Sequence, residues 1–159
     1  GGGGGGGGAD DGSGSHSVAK NIKSEPVRKL YESCPEVHDS TQISFLSCAA
    51  GTYKGTDVRT GAECTTILTE TGQVSFINGA TTIRTFDLVS DFIYHMDKTK
   101  GPWAFHLEGK NRHPILLWNR RLQLTMKVDS AHGRYLDIIQ KNTDPVYGAD
   151  LDATCRITF

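Results

Sequence analysis

The sequence predicts a mainly β fold, a single antiparallel β domain with one short N-terminal helix. Short runs rich in β-branched and aromatic residues recur along most of the chain, and Gly, Asn, Asp and Pro separate them. The run LQLTMKV alternates apolar and polar residues, as a strand with one face in water does. No helical segments alternate with these runs, so βαβ units are not expected. A meander of hairpins closes its edges as a small barrel or as a sandwich, and the sequence leaves both open.

The N-terminal tract differs in composition from the rest of the chain. Residues 1–17 read GGGGGGGGADDGSGSHS, which cannot bury apolar surface, so we expect a disordered tether over 1–23 and one domain over 24–159. The tract resembles the linker of many proteobacterial lipoproteins, in which a lipidated Cys precedes a Gly- or Ser-rich tether and an exported domain. The resemblance implies an envelope protein in the periplasm or at the outer membrane or cell surface. Its membrane attachment would be an N-terminal lipid outside this sequence. An unlipidated secreted protein or an engineered linker is the alternative.

The first predicted element of the domain is a helix from Ser24 to Cys34. Ser24 suits the N-cap, and Pro35 ends the helix. Apolar residues at i, i+3, i+4 and i+7 give it one apolar face: Val27, Leu30, Tyr31 and Cys34. Residues 36–42 then read as a polar connection, and the following ISFLSCAA as a strand.

The strongest turn signal is Asn78-Gly79, which predicts a two-residue type I′ hairpin. That turn would pair Phe76 with Thr81 and Val74 with Ile83.

Thr71-Gly72 is a second turn, whose register the sequence leaves open. A two-residue loop pairs Ile67 with Phe76, and a three-residue loop pairs Leu68 with Phe76. The choice decides which face Cys64 occupies, since a one-residue slip inverts a strand.

The next hairpin joins DFIYHM to PWAFHLE across a turn at residues 99–102. If Met96 faces Phe105, then Tyr94 faces Leu107, and these four side chains share the inner face.

The same register places His95 opposite His106 on the outer face. Two facing imidazoles can hold a divalent metal, with Glu108 or Asp97 as a third ligand. The alternative is a pair of solvated strand histidines.

The four cysteines form no CxxC pair and no zinc-finger spacing. An even number of scattered cysteines in a small β-rich chain favours two disulfides and therefore an oxidising compartment, against four free thiols in the cytosol. Of three pairings we favour Cys48–Cys64, with Cys34–Cys155 tying the N-terminal segment to the last strand.

Basic residues collect in turns. We read residues 109–114 as a loop, ILLW as a strand and residues 119–121 as the next turn. Successive turns of a meander alternate ends, so the 97–102 and 119–121 turns would share one end. This end would bring together a cationic group for an anionic envelope polymer or headgroup, Lys98, Lys100, Arg120 and Arg121. The alternative is that these are solvated turns.

Taken together, the sequence predicts a non-catalytic exported binding module, whose partner is an envelope protein or an anionic polymer. A net charge of −1 argues against nucleic-acid binding, and no apolar run approaches the ~18 residues of a transmembrane span. We expect no cofactor. Its exposure could also make the protein a surface antigen. The first alternative is a small-ligand carrier with a barrel cavity, lined by Trp103, Phe105, Trp118, Leu124 and Met126. The second is a hydrolase-type enzyme, although GSGSH in the tether is not a nucleophile elbow.

Overall fold

The computed structural model describes residues 22–99, 104–112, 121–129, 135–142 and 152–159. These residues form a mainly β fold, as the sequence predicts, with two short α-helices where one was expected. The helices are α1, Glu25–Ser33, and α2, Leu46–Ala49, which follows a 3₁₀ turn at Ile43–Phe45. The strands are β1 Val37–Ser40, β2 Gly51–Asp57, β3 Glu63–Leu68, β4 Gln73–Asn78, β5 Thr81–Asp87, β6 Ser90–Asp97, β7 Ala104–Arg112, β8 Arg121–Asp129, β9 Tyr135–Asn142 and β10 Ala153–Thr158.

One sheet contains all ten strands in the order β1-β6-β7-β8-β9-β10-β2-β3-β4-β5. Strands β2 to β5 form one meander and β6 to β10 a second, and the pairing of β10 with β2 joins the two. Strand β5 is at one end of this order and β6 is next to the other end, but only two residues, Leu88 and Val89, connect them. The sheet must therefore curl until its ends approach, as an open barrel. We call the β10–β2 pairing the closed seam and the β5–β6 junction the open seam.

At the closed seam the wall bends sharply around β2. The Cys64–Cys155 disulfide joins β3 to β10, with a Cα–Cα distance of 5.8 Å. In a flat sheet, two strands separated by a third lie about 10 Å apart. Gly55 sits in this bend, where a Cβ atom would lie 2.3 Å from the carbonyl oxygen of Arg156. A glycine is therefore required for β10 to approach β2 this closely.

The barrel interior is filled by the inward side chains of most strands. The predicted inner group of Met96, Tyr94, Phe105 and Leu107 is confirmed, with the expected register. The apolar face of α1 is buried as well. Ile22, which precedes the predicted start of the domain at residue 24, is also buried in this core. In the described part of the chain, no helix has the length and apolar character needed to cross a membrane.

The segment from Pro35 to Ala49 is fastened to the sheet by two tyrosine hydroxyls, besides the pairing of β1 with β6. The Cys34–Cys48 disulfide closes it at its base. The hydroxyl of Tyr53 donates to the carbonyl oxygen of Ala49, and the hydroxyl of Tyr94 donates to that of Pro35. Tyr53 lies in β2 and Tyr94 in β6, so the segment is held from both seams.

The predicted disulfide pairing is wrong, although all four cysteines do form disulfides. Cys48 pairs with Cys34 because residues 43–49 are helical and not a strand. Leu46 and Ala49, three residues apart, then face the core together. Cys64 pairs with Cys155 because β10 lies beside β2, a non-local arrangement.

The predicted register at Asn78-Gly79 is also wrong. Asn78 stays in β4, where it pairs with Thr81, and Gly79 becomes the first turn residue with φ 63°. Two contacts hold Asn78 in the ladder, its amide donating to Asp57 at 3.1 Å and the Gly79 N–H donating to the Glu63 carbonyl. A bulge then places Phe76 opposite residue 84 and Val74 opposite residue 86.

The loop before β4 contains three residues, 70–72. The predicted three-residue loop would have covered residues 71–73, so the observed loop lies one position earlier in the chain. Thr69 and Gln73 close it by backbone hydrogen bonding, so Thr66 pairs with Phe76. Both predicted registers are therefore wrong. Cys64 faces the interior, as the three-residue alternative required.

The predicted loop at 109–114 begins too early. Residues 109–112 continue β7, and Arg112 pairs directly with Arg121 of β8. The predicted ILLW strand lies outside the described residues.

Candidate functional site

Three histidines lie side by side on the outer face of neighbouring strands. His95 of β6 faces His106 of β7, as predicted. His38 of β1 stacks on His95 from the other side, with ring centroids 5.0 Å apart and 30° between the planes. We call this surface the histidine face, and it comprises Glu36, His38, Asp39, His95, Asp97, His106 and Glu108.

A β-bulge in β1 positions His38. Val37 pairs with Met96 and Ser40 with Tyr94, so two residues of β1 stand opposite His95. The second of these, Asp39, has φ 58°, a left-handed conformation that Asp tolerates better than most residues. The bulge thus directs two side chains at one imidazole, since Asp39 Oδ1 also lies 3.5 Å from Nδ1 of His95.

Nε2 of His38 lies between two carboxylates. It is 3.9 Å from Oε2 of Glu36 and 3.9 Å from Oδ2 of Asp97. One ligand atom from each of the three residues falls within 4.8 Å of the others. The three residues therefore form a compact group of donors suited to a cation.

The turn after β6 orients both carboxylates. Oδ1 of Asp97 accepts from the Thr99 N–H at 2.9 Å and from the Thr99 hydroxyl at 2.6 Å. Oε1 of Glu36 accepts from the Lys98 N–H at 3.4 Å. In each carboxylate one oxygen is thus held by the turn while the other points toward His38.

The three side chains differ in exposure. Asp97 is 7% exposed, whereas Glu36 and His38 are 40% and 55% exposed. The group therefore combines one fixed ligand with two that can adjust.

The pair predicted from sequence, His95 and His106, does share the histidine face. Each imidazole contacts its own carboxylate, since Nε2 of His106 lies 3.2 Å from Oε1 of Glu108. Sequence reasoning missed His38 and Glu36 because it read residues 36–42 as a connection. Their spacing of two, which places both on one face of a strand, was the available signal.

The two members of the predicted cationic group that the structure describes, Lys98 and Arg121, lie at opposite ends of β7. Lys98 follows β6 at one end of β7, and Arg121 pairs with Arg112 at the other end. The expectation failed because residues 109–112 extend β7, which removes one turn from the count. Lys98 lies with Nζ 5.4 Å from the Tyr31 ring centroid, and burial lowers its pKa, against the opposing effect of Glu36 and Glu32. Lys100 and Arg120 lie outside the described residues.

The residues proposed to line a ligand cavity belong to the packed core where they are described. Phe105, Leu124 and Met126 are all buried in one cluster. Trp103 and Trp118 lie outside the described residues. The three described residues therefore give the carrier hypothesis no support of their own.

Comparison with protein-family models, with curated proteins and with solved structures finds no match to this chain. What the histidine face can bind is therefore inferred from the contacts of its own residues.

Proposed function

We propose that this chain is an exported cell-envelope domain that acts by binding rather than by catalysis. The observation that carries the proposal is that all four cysteines are used in two disulfides. Structural disulfides form and persist in oxidising compartments, which supports the periplasm, the outer membrane or the cell surface. The same bonds leave no cysteine thiol to serve as a nucleophile.

The histidine face is the surface on which we place binding. Four carboxylates, from Glu36, Asp39, Asp97 and Glu108, lie among its three imidazoles. Such a surface attracts cations and repels the anionic polymers that the basic turns suggested. The expected ligand is therefore cationic.

Thiol counting after directed export tests the proposal. The chain is produced in bacteria with and without an export signal, and free thiols are alkylated before and after reduction and counted by intact mass. We expect no alkylation of the exported protein before reduction and four sites after it, with the pairs Cys34–Cys48 and Cys64–Cys155 in the peptide map. Free thiols in folded, exported protein would overturn the proposal.

A further inference from the structure

The group around His38 has nearly the dimensions of a metal site. In tetrahedral zinc sites the metal lies about 2.0–2.2 Å from nitrogen and oxygen ligands, so neighbouring ligand atoms are roughly 3.4 Å apart. The two carboxylate oxygens are each 3.9 Å from Nε2 of His38, and the three ligand atoms lie within 4.8 Å of one another, so coordination requires the ligand atoms to close by about 0.5 to 1.4 Å.

The protein already holds these carboxylates by outer hydrogen bonds. In metal sites such partners orient the ligand oxygens and are nearly as important as the ligands. Thr99 provides two of them to Asp97, and the Lys98 N–H provides one to Glu36. Asp97 is buried by this arrangement, so its position is set before any ion arrives.

His38 is positioned by packing rather than by a hydrogen bond that the structure records. Its ring stacks on His95, whose Nδ1 lies 3.5 Å from Asp39. The stack limits rotation of the His38 ring while Nε2 points at the two carboxylates.

We propose that Glu36, His38 and Asp97 bind a divalent transition-metal ion, with Zn²⁺ as the best-suited probe. One imidazole and two carboxylates satisfy the nitrogen and oxygen preferences of zinc. The fourth position is filled by water or by a ligand atom of a binding partner. This inference rests on the proposed binding role of the histidine face, because it names the ligand of that face.

Two other arrangements compete with this assignment. A protonated His38 could simply pair with the two carboxylates, in which case no metal binds. Alternatively, the facing pair His95 and His106 could be the ligands, as the sequence suggested.

Calorimetric titration of the oxidised full chain with Zn²⁺, after removal of bound metal with a chelator, separates the three arrangements. We expect one site per chain. His38→Ala and Asp97→Asn should each weaken binding by more than about tenfold, the range in which even outer partners act. His106→Ala tests the competing facing pair, and its zinc affinity should stay within about twofold of the wild type because His106 is not in the proposed ligand set. Thermal unfolding in chelator checks that each variant is folded.

Thr99 separates positioning from coordination. Thr99→Ala removes the hydroxyl donor to Asp97 and should weaken zinc binding by about tenfold, whereas Thr99→Ser keeps the hydroxyl and should restore it. NMR spectra of the histidine rings should show the His38 resonances shifting with zinc.

Absence of zinc binding to the wild type would overturn the proposal, as would unchanged affinity in His38→Ala. Loss of binding in His106→Ala but not in His38→Ala would move the ion to the facing pair and overturn the ligand set. A failed titration leaves the export proposal standing, and free thiols after export overturn that proposal whatever the titration gives.

Discussion

The two seams of the barrel hold together by different means. At the closed seam β10 pairs with β2, a disulfide reaches from β10 to β3, and Arg156 of β10 forms two hydrogen bonds to Asp137 of β9. At the open seam β5 and β6 are consecutive in the chain but not neighbours in the sheet. There β1 pairs with β6 instead, and its bulge carries His38.

The difference between the two seams is that the closed seam is more tightly constrained than the open seam. Strong covalent and steric constraints at the closed seam fix the curvature of the sheet. The strands at the open seam do not have to fix the curvature, so the short strand β1 can contain a bulge and a polar cluster. β-Bulges are over-represented at sheet edges and next to functional sites, where they redirect a side chain.

The largest predicted difference concerns the two disulfides. Cys64 and Cys155 are 91 residues apart, and Cys34 and Cys48 are 14 apart. Loop-closure entropy predicts that changing both cysteines of the long pair to Ala costs about 4–5 kcal/mol, against about 3 kcal/mol for the short pair. Urea unfolding of the two double variants under oxidising conditions measures this. An equal or reversed order would show that the closed seam is not the stronger one.

Two glycines offer a second comparison, in which only the surroundings differ. An added Cβ at Gly55 meets backbone of Arg156 at 2.3 Å, whereas at Gly109 it meets the flexible side chain of Leu88 at 3.2 Å. Gly55→Ala should destabilise by about 1–3 kcal/mol because the strand must shift, and Gly109→Ala by less than about 1 kcal/mol because Leu88 can yield. Denaturation midpoints of the two variants test the order. Similar midpoints would mean that β10 can retreat from β2 at little cost.

The sequence predicted what local pattern controls. The face of α1 follows from the spacing of Val27, Leu30 and Tyr31, and the facing of His95 and His106 follows from the register that pairs Met96 with Phe105. Both are short-range consequences of side-chain periodicity. The use of all four cysteines in disulfides was also predictable, because it required only their even number and the small β-rich fold class.

Non-local pairing could not be predicted in this way. His38 joins the histidine face because β1 pairs with β6, more than 50 residues further along the chain, through a bulge that no periodicity announces. Residues 43–49 form a short apolar run, which periodicity alone does not assign to helix or strand. The disulfide pairing failed for the same two reasons, since it depended on that helix and on β10 lying beside β2.

A third comparison sets the ion pairs of the two seams against each other. Arg156 donates to both oxygens of Asp137 at 2.8 and 2.9 Å and lies over the Tyr135 ring, whereas Lys110 approaches Asp91 at 3.7 Å in a more open setting. Arg156→Met should cost about 1–2 kcal/mol, after allowance for the partial exposure of the arginine. Lys110→Met should change stability by no more than about 0.5 kcal/mol. Chemical denaturation at low and high salt checks both values, and an Arg156→Met variant as stable as the wild type would contradict the comparison.

The smallest predicted difference in stability at neutral pH is the one between the two tyrosines that hold residues 35–49. Tyr53 fastens the segment at β2 and Tyr94 at β6, each by one hydroxyl to a backbone carbonyl. Tyr53→Phe and Tyr94→Phe should each cost about 1 kcal/mol, the usual contribution of one hydrogen bond. Hydrogen exchange should place the added opening of Tyr94→Phe in β1, beside the histidine face, and that of Tyr53→Phe in α2.

The contribution of Tyr53 and Tyr94 to stability should also depend on pH in the alkaline range. Burial raises the pKa of both phenols above the ordinary value of 10.0, so the folded chain keeps two protons that the unfolded chain loses. The stabilisation is complete below about pH 10 and falls as pH rises toward the folded pKa values, because the unfolded state then binds fewer protons. Unfolding midpoints measured from pH 8 to 11 should decline in the wild type and decline less in each Phe variant. Tyrosinate absorbance that appears well before unfolding in the wild type and is reduced in the two Phe variants would show that these hydroxyls are accessible, and that the segment is not held from both seams.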